Sequence, residues 1–218
     1  MRKVAILGGK GNAALVAAAM EHARRMGATE WEVAGFLNDR EPVGSIIDMF
    51  PVIGKTTDAK RLLDDGYWFV NAILRIDGNH ERIAMFENLG IPDDRLATFV
   101  HPMAYVAPSV QLGAGCIIMP NVSMSPGTKL GKGCLMMVGS MMGHDNIVGD
   151  FCHIAAQAAV GSYLTIGKGV HIGLNATVKE DLSIGDFATL GAGAVLTKNM
   201  GENEIWAGNP AKFLRYAR

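Results

Sequence analysis

Six histidines, His22, His80, His101, His144, His153 and His171, are the residues able to move a proton near neutrality. One stands apart because a carboxylate follows it directly, His144-Asp145. An imidazole titrates near pH 6.5 in water and serves as a base at neutral pH. An adjacent carboxylate can fix its tautomer and stabilise the imidazolium as it forms. No Gly-x-Ser-x-Gly or other nucleophile signature is present, so direct transfer is expected rather than a covalent enzyme intermediate. The cysteines Cys116, Cys134 and Cys152 include no Cys-x-x-Cys pair for zinc. A second chemistry is signalled near the start. Gly9-Lys10-Gly11-Asn12-Ala13-Ala14 fits G-x-G-x-x-[GA] between a predicted strand and a predicted helix. Such glycines let backbone approach a phosphate at a helix N-terminus.

The cysteines also act as a ruler, because they fall 18 residues apart, twice. From Val106 to Val195 the chain divides into 15 hexads without a slip of register, each opening on Val, Leu, Ile or Met. Gly is second in nine of them. This is the pattern of a β-helix in which three hexads close one triangular coil, giving about five coils. First and fifth positions point inward and stack from coil to coil, and the glycines turn the corners. The cysteines, all at fifth positions, form an interior ladder with Val170 and Ala188. His144 and Asp145, third and fourth in MGHDNI, lie at a corner and face outward. Ser162 follows His144 by one coil, with Gly161 before it. His153 is at a sixth position and cannot share the His144 column, and His171 lies one coil beyond it.

The first hundred residues read differently. Lys3–Leu7, Glu32–Leu37 and Trp68–Leu74 are predicted strands; Ala13–Met26, Asp58–Asp64 and Glu81–Leu89 are predicted helices. This βαβαβ order implies a small parallel sheet, too short for a full dinucleotide fold. Asn38-Asp39 closes the second strand, where a carboxylate can meet a ribose or base. The formal net charge of −1 argues against nucleic-acid or membrane-surface binding. The apolar runs are too short for a membrane span or a secretory signal, so a cytoplasmic location is expected.

The hexads, with the tail Ala207-Gly208-Asn209-Pro210-Ala211-Lys212, resemble the hexapeptide-repeat acyltransferases. That resemblance, and not crossover physics, implies left-handed coils assembled as homotrimers. With the α/β segment and the link Phe99–Val106 included, the whole chain resembles the sugar acetyltransferases of the UDP-N-acetylbacillosamine N-acetyltransferase and sialic acid O-acetyltransferase family. The expected fold is an α/β half-Rossmann domain over residues 1–100, followed over residues 101–218 by an all-β left-handed parallel β-helix with a short tail. The resemblance implies acetyl-CoA as cosubstrate, no metal, and a UDP-amino-sugar acceptor. It makes His144 the base with Asp145 as its partner, and sets His153 against the acetyl donor. Backbone N–H groups at Gly161 and Ser162 are expected to meet the thioester carbonyl or pantetheine amides, with Gly173 and its neighbours continuing that groove one coil further. Gly9, Lys10, Gly11, Asn12, Asn38 and Asp39 are expected to hold the nucleotide-sugar.

The chain departs from the family where the sugar would sit. Gly11-Asn12-Ala13 replaces a frequent Gly-His-Gly, Asn38-Asp39 replaces Asp-Asp, and Ala72-Ile73-Leu74 runs into a longer Arg75–Asn79 segment. O-acetylation of a sugar hydroxyl or sialic acid is the alternative reaction, since both acceptors must lose a proton. Two more distant readings are a non-catalytic nucleotide-sugar scaffold and a zinc site of the β-helical carbonic-anhydrase type. The 9- and 18-residue histidine spacings do not match the latter.

Overall fold

The computed structural model describes residues 1–218. Its N-terminal part contains β1 (Arg2–Leu7), α1 (Asn12–Arg25), β2 (Trp31–Leu37), β3 (Ile46–Ile47), β4 (Phe50–Gly54), α2 (Ala59–Asp64), β5 (Trp68–Asn71) and α3 (Asn79–Glu87). The strands form one sheet in the order β3-β4-β2-β1-β5, parallel except for the β3–β4 hairpin. Val4–Leu7 is fully buried, as a continuous apolar run in a strand covered on both faces should be. Ala13, Val16, Ala17, Met20 and Ala23 make the buried stripe of α1 at helical spacing. The hairpin was not legible in the sequence, because Pro51 sits inside β4. It is tolerated there against the two-residue β3 at the sheet's margin. The third crossover strand stops at Asn71, three residues early, where the Asn71 side-chain carbonyl accepts the Ile73 N–H and turns the chain away.

From Phe99 onward the chain winds as a parallel β-helix of two-residue strands. Leu135–Met136 pairs with Ile117–Ile118 on one side and His153–Ile154 on the other, each 18 residues away. First-position residues from Ile118 to Leu196 are buried. Fifth positions are buried too, except Val110 and Leu182 toward the two ends. The three cysteines stack inside, each S–H donating to a glycine carbonyl: Gly131, Gly149 and Gly167. No helix is long and apolar enough to cross a membrane.

The outward side chains distinguish the three faces of the coil. Ile117, Leu135, His153, His171 and Thr189 share one face and are buried beneath the N-terminal part. On the other two faces Tyr105, Met141, Ile147 and Thr165 are exposed. The covered face is fastened by hydrogen bonds from Trp31 Nε1 to the Thr98 carbonyl (3.0 Å), from Asn79 Nδ2 to the Gly169 carbonyl (3.2 Å) and from Thr189 Oγ1 to the Ile76 carbonyl (3.0 Å). A histidine pair closes the start of the coil. Buried His101 accepts the Met103 N–H on Nδ1, so a neutral ring carries its proton on Nε2, 3.0 Å from His22 Nδ1.

Candidate active site

The turn joining Met141–Met142 to Ile147–Val148 presents His144 and Asp145, about half exposed at 46% and 53% of their side chains. Adjacent residues meet here because Asp145 takes the left-handed conformation (φ 56°), tolerated by Asp and Asn more than by most residues. Its Oδ2 comes to 2.9 Å from His144 Nδ1. Gly127, one coil earlier, has φ 77°, and a Cβ there would overlap Asp145 Oδ1. One coil later, Ser162 Oγ accepts the His144 N–H (3.1 Å) and the Tyr163 N–H donates to the His144 carbonyl (3.1 Å). The Tyr163 ring stands edge-on to the imidazole, with centroids 4.8 Å apart.

The corner rests on two buried polar side chains at fifth positions. Asn146 Nδ2 donates to the carbonyls of Gly143 and Gly161 (both 2.9 Å), and its Oδ1 accepts the Leu164 N–H (2.8 Å). Thr128 Oγ1 donates to the Gly143 carbonyl (2.9 Å). Sequence reasoning missed Gly127, Thr128, Asn146 and Tyr163. A polar residue at an inward hexad position was the available signal for Thr128 and Asn146.

Two expectations for the groove need correction. The Gly161 N–H is donated to the Val178 carbonyl and the Gly173 N–H to the Leu190 carbonyl, so the coil ladder uses both. The Ser162 N–H, by contrast, has no partner. Gly173 is also not in line with Gly161. It lies 12 residues on, two-thirds of a coil, at the end of the covered-face strand His171–Ile172. Lys179 and Glu180 occupy the positions one coil beyond Gly161 and Ser162.

His153 is not beside His144 within one chain; it is buried on the covered face. Its Nδ1 lies 2.8 Å from His171 Nδ1, and its Nε2 is buried with no hydrogen-bond partner. That face borders a cleft of about 20 Å³, lined by Asn71, Ile73, Leu74, Asn79 and Gly133 among others. Burial and then neighbouring His171 hold His153 down to about pKa 3, and burial holds His171 down to about 4. Both rings are therefore neutral at physiological pH.

A second, larger cavity of about 750 Å³ opens at the C-terminal ends of β1 and β2. Gly8, Gly9 and Lys10 line it, whereas Gly11 and Asn12 stand at the start of α1 outside the lining. Asn38 and Asp39 do border it, but their side chains are engaged within the protein. Asn38 donates to the Gly8 carbonyl and accepts the Arg40 and Glu41 N–H groups. Asp39 accepts the Thr56 N–H and hydroxyl. Gly9 is constrained by packing, since a Cβ would overlap Asn38 Nδ2. The positive groups on the rim are Lys10, Arg40, Arg75 and Arg82. Glu41 pairs with Lys10 at 2.8 Å and Glu81 lies 3.6 Å from Arg75, so Arg40 and Arg82 are the rim cations without a carboxylate partner, suited to a diphosphate. Arg75 lies in the Arg75–Asn79 segment already set where the sugar would sit, whereas Arg82 carried no sequence signal, because only the fold brings α3 to the cavity.

A model of the hexapeptide repeat of succinyl-transferase matches residues 163–198. No curated protein sequence matches the chain. Among solved structures, the acetyltransferase domain of PglB from Neisseria gonorrhoeae is 31% identical, with a TM-score of 0.84 over 98% of this chain and 100% of that one. The same domain in complex with acetyl coenzyme A is 32% identical, with a TM-score of 0.83 over 98% and 99%. Perosamine N-acetyltransferase from Caulobacter crescentus, in complex with CoA and GDP-perosamine, is 27% identical, with a TM-score of 0.84 over 99% and 98%. Fold and matches together define a left-handed β-helix acyltransferase of the hexapeptide-repeat class, with acetyl-CoA as its cosubstrate. Within that class, the chain belongs to the sugar acetyltransferases of the bacillosamine family.

Proposed function

We propose that this enzyme moves an acetyl group from acetyl-CoA to the amine of a UDP-linked amino-sugar. Residues 1–100 hold the nucleotide-sugar and residues 101–218 hold the acyl donor, in a cytoplasmic homotrimer with active sites at subunit boundaries. The observation that carries the reading is the 2.9 Å contact between His144 Nδ1 and Asp145 Oδ2 at an open corner. A carboxylate on Nδ1 keeps the proton there and leaves the Nε2 lone pair free.

The chemistry follows from that tautomer. The neutral amine attacks the thioester carbonyl carbon, an N–C bond forms, and His144 Nε2 takes the amine proton. The tetrahedral intermediate collapses with cleavage of the C–S bond, and the imidazolium returns the proton to the departing sulfur. Asp145 stabilises the transient imidazolium. The Ser162 N–H meets a pantetheine amide. His153 of one copy faces His144 of another and donates Nε2–H to the thioester oxygen, where charge develops. Gly161 and Gly173 shape the groove by lacking a side chain. The exposed Tyr105, Met141, Ile147 and Tyr163 on the open faces and corner support association between copies.

Support for the acceptor comes from the glycine-lined, arginine-rimmed cavity and from the relative whose complex holds GDP-perosamine. Lys10 and Arg82 take the diphosphate, while Asn38 and Asp39 act by fixing the loop around it. The test is thiol release from acetyl-CoA against UDP-amino-sugars, GDP-amino-sugars and hydroxyl sugars. Fastest turnover on a UDP-amino-sugar is expected. Preference for a hydroxyl sugar overturns N-acetylation, and preference for a GDP-amino-sugar overturns the choice of uridine. Arg82→Gln should raise KM for the nucleotide-sugar about tenfold with kcat unchanged, the loss of one charge-assisted hydrogen bond. A strict monomer by sedimentation at micromolar concentration contradicts the boundary site.

A further inference from the structure

His153 and His171 form a couple that the proposed reaction does not yet explain. Their rings are nearly coplanar (17°) with centroids 4.9 Å apart and Nδ1 atoms at 2.8 Å, so they meet edge to edge through one hydrogen bond. Each neutral imidazole carries a single N–H, and the short contact needs one proton between the two Nδ1 atoms. Two arrangements satisfy this. If His153 supplies that proton, its Nε2 is a bare lone pair. If His171 supplies it, the His153 proton must sit on Nε2.

The surroundings separate the two. His153 Nε2 is the buried side-chain nitrogen left without a partner, and His153 borders a cleft with room for one water-sized group. His171 Nε2 also lacks a protein partner, but it is not sealed from solvent, so water can satisfy a lone pair there. A thioester oxygen only accepts hydrogen bonds, so the cleft can receive it only if His153 Nε2 bears the proton. We infer that His171 is a positioning residue whose Nδ1–H donates to His153 Nδ1, holding His153 in the tautomer that offers Nε2–H to the acyl oxygen. The inference rests on the reading above that His153 meets the acetyl donor. Charge does not compete with this arrangement, because no carboxylate lines the cleft and burial keeps both rings neutral.

The direct test is a long-range proton–nitrogen correlation spectrum of the intact protein labelled with nitrogen-15 histidine, at pH 7.5. His153 should show a protonated Nε2 and bare Nδ1, and His171 a protonated Nδ1 and bare Nε2. The opposite pattern overturns the inference. Kinetics give a second arm. His171→Leu removes the donor and should lower kcat about tenfold, less than the loss of an oxyanion donor itself, with KM for the sugar unchanged. His171→Asn, whose amide can donate in its place, should restore kcat to within about threefold of the parent. Equal losses in both variants, with the His153 tautomer unaltered, reduce His171 to packing and overturn the inference. Full activity in His153→Phe instead overturns the place of His153 at the acyl donor. The tautomer measurement on the parent protein is independent of that result.

Discussion

The open corner and the covered face hold the same side chain under opposite conditions. At the corner, His144 is half exposed and paired with a carboxylate through Nδ1. On the covered face, His153 has only another imidazole for a partner and is buried under the N-terminal part, beside a small cleft. A base must alternate between neutral and charged forms, which requires water or an anion nearby. A hydrogen-bond donor that must never become charged is better placed in a dry site. The β-helix supplies both settings from one repeat, because its faces differ only in what lies against them.

Acid tests that difference most strongly. His153 and His171 have folded pKa values of about 3 and 4, below the ordinary value near 6.5. Below pH 6.5 the unfolded chain therefore binds more protons than the folded one. The folded state keeps its full stability above pH 6.5 and loses it as the pH falls toward 4. The slope is about 1.4 kcal/mol per pH unit for each ring, or about 4 kcal/mol at pH 5 for the two. Buried His101, its pKa lowered by burial and by His22, adds in the same direction. Chemical denaturation at pH 7.5 and pH 5 measures the loss, and a His153→Leu/His171→Leu double variant should remove most of it. An unchanged slope in that variant means that the covered face does not hold its imidazoles neutral.

The next largest effect belongs to the corner. His144→Ala should lower kcat at least about 10²-fold, the usual worth of a general base. Acetyl-CoA binding, measured by calorimetry, and the sedimentation behaviour should be unchanged. Near-parent turnover removes His144 from the chemistry and with it the functional half of the contrast.

The repeat explains why the two sites were unequally legible in the sequence. A phase held for 15 hexads states which residues point inward and which lie at corners, so the coil and the outward His144-Asp145 could be read directly. Burial of an outward residue is a different matter. His153 and Ile147 are both sixth-position residues, yet one is buried and the other exposed, because only the first lies under the N-terminal part. Hexad register carries no information about that docking. Asn38 and Asp39 border the cavity, but what their side chains hold was not legible in the sequence for a similar reason. Their types and place at a strand end suit a ribose, but Arg40, Glu41 and Thr56 reach them first through a loop whose hairpin Pro51 disguised.

The finest test concerns whether Asp145 works through its contact with His144 or merely stands nearby. Asp145→Asn keeps the shape and removes the charge that stabilises the imidazolium; about a tenfold fall in kcat is expected. Gly127→Ala approaches the same contact from the coil before. Its φ of 77° disfavours any side chain, and the new Cβ would occupy the place of Asp145 Oδ1. The carboxylate must then swing away from Nδ1, with a loss of about fivefold to tenfold expected. If both changes act on one hydrogen bond, they cannot add. Gly127→Ala placed in the Asp145→Asn background should cost less than about twofold further, as non-additivity between contacting residues requires. Multiplied losses in the double variant show that Gly127 supports the corner by a route other than this hydrogen bond.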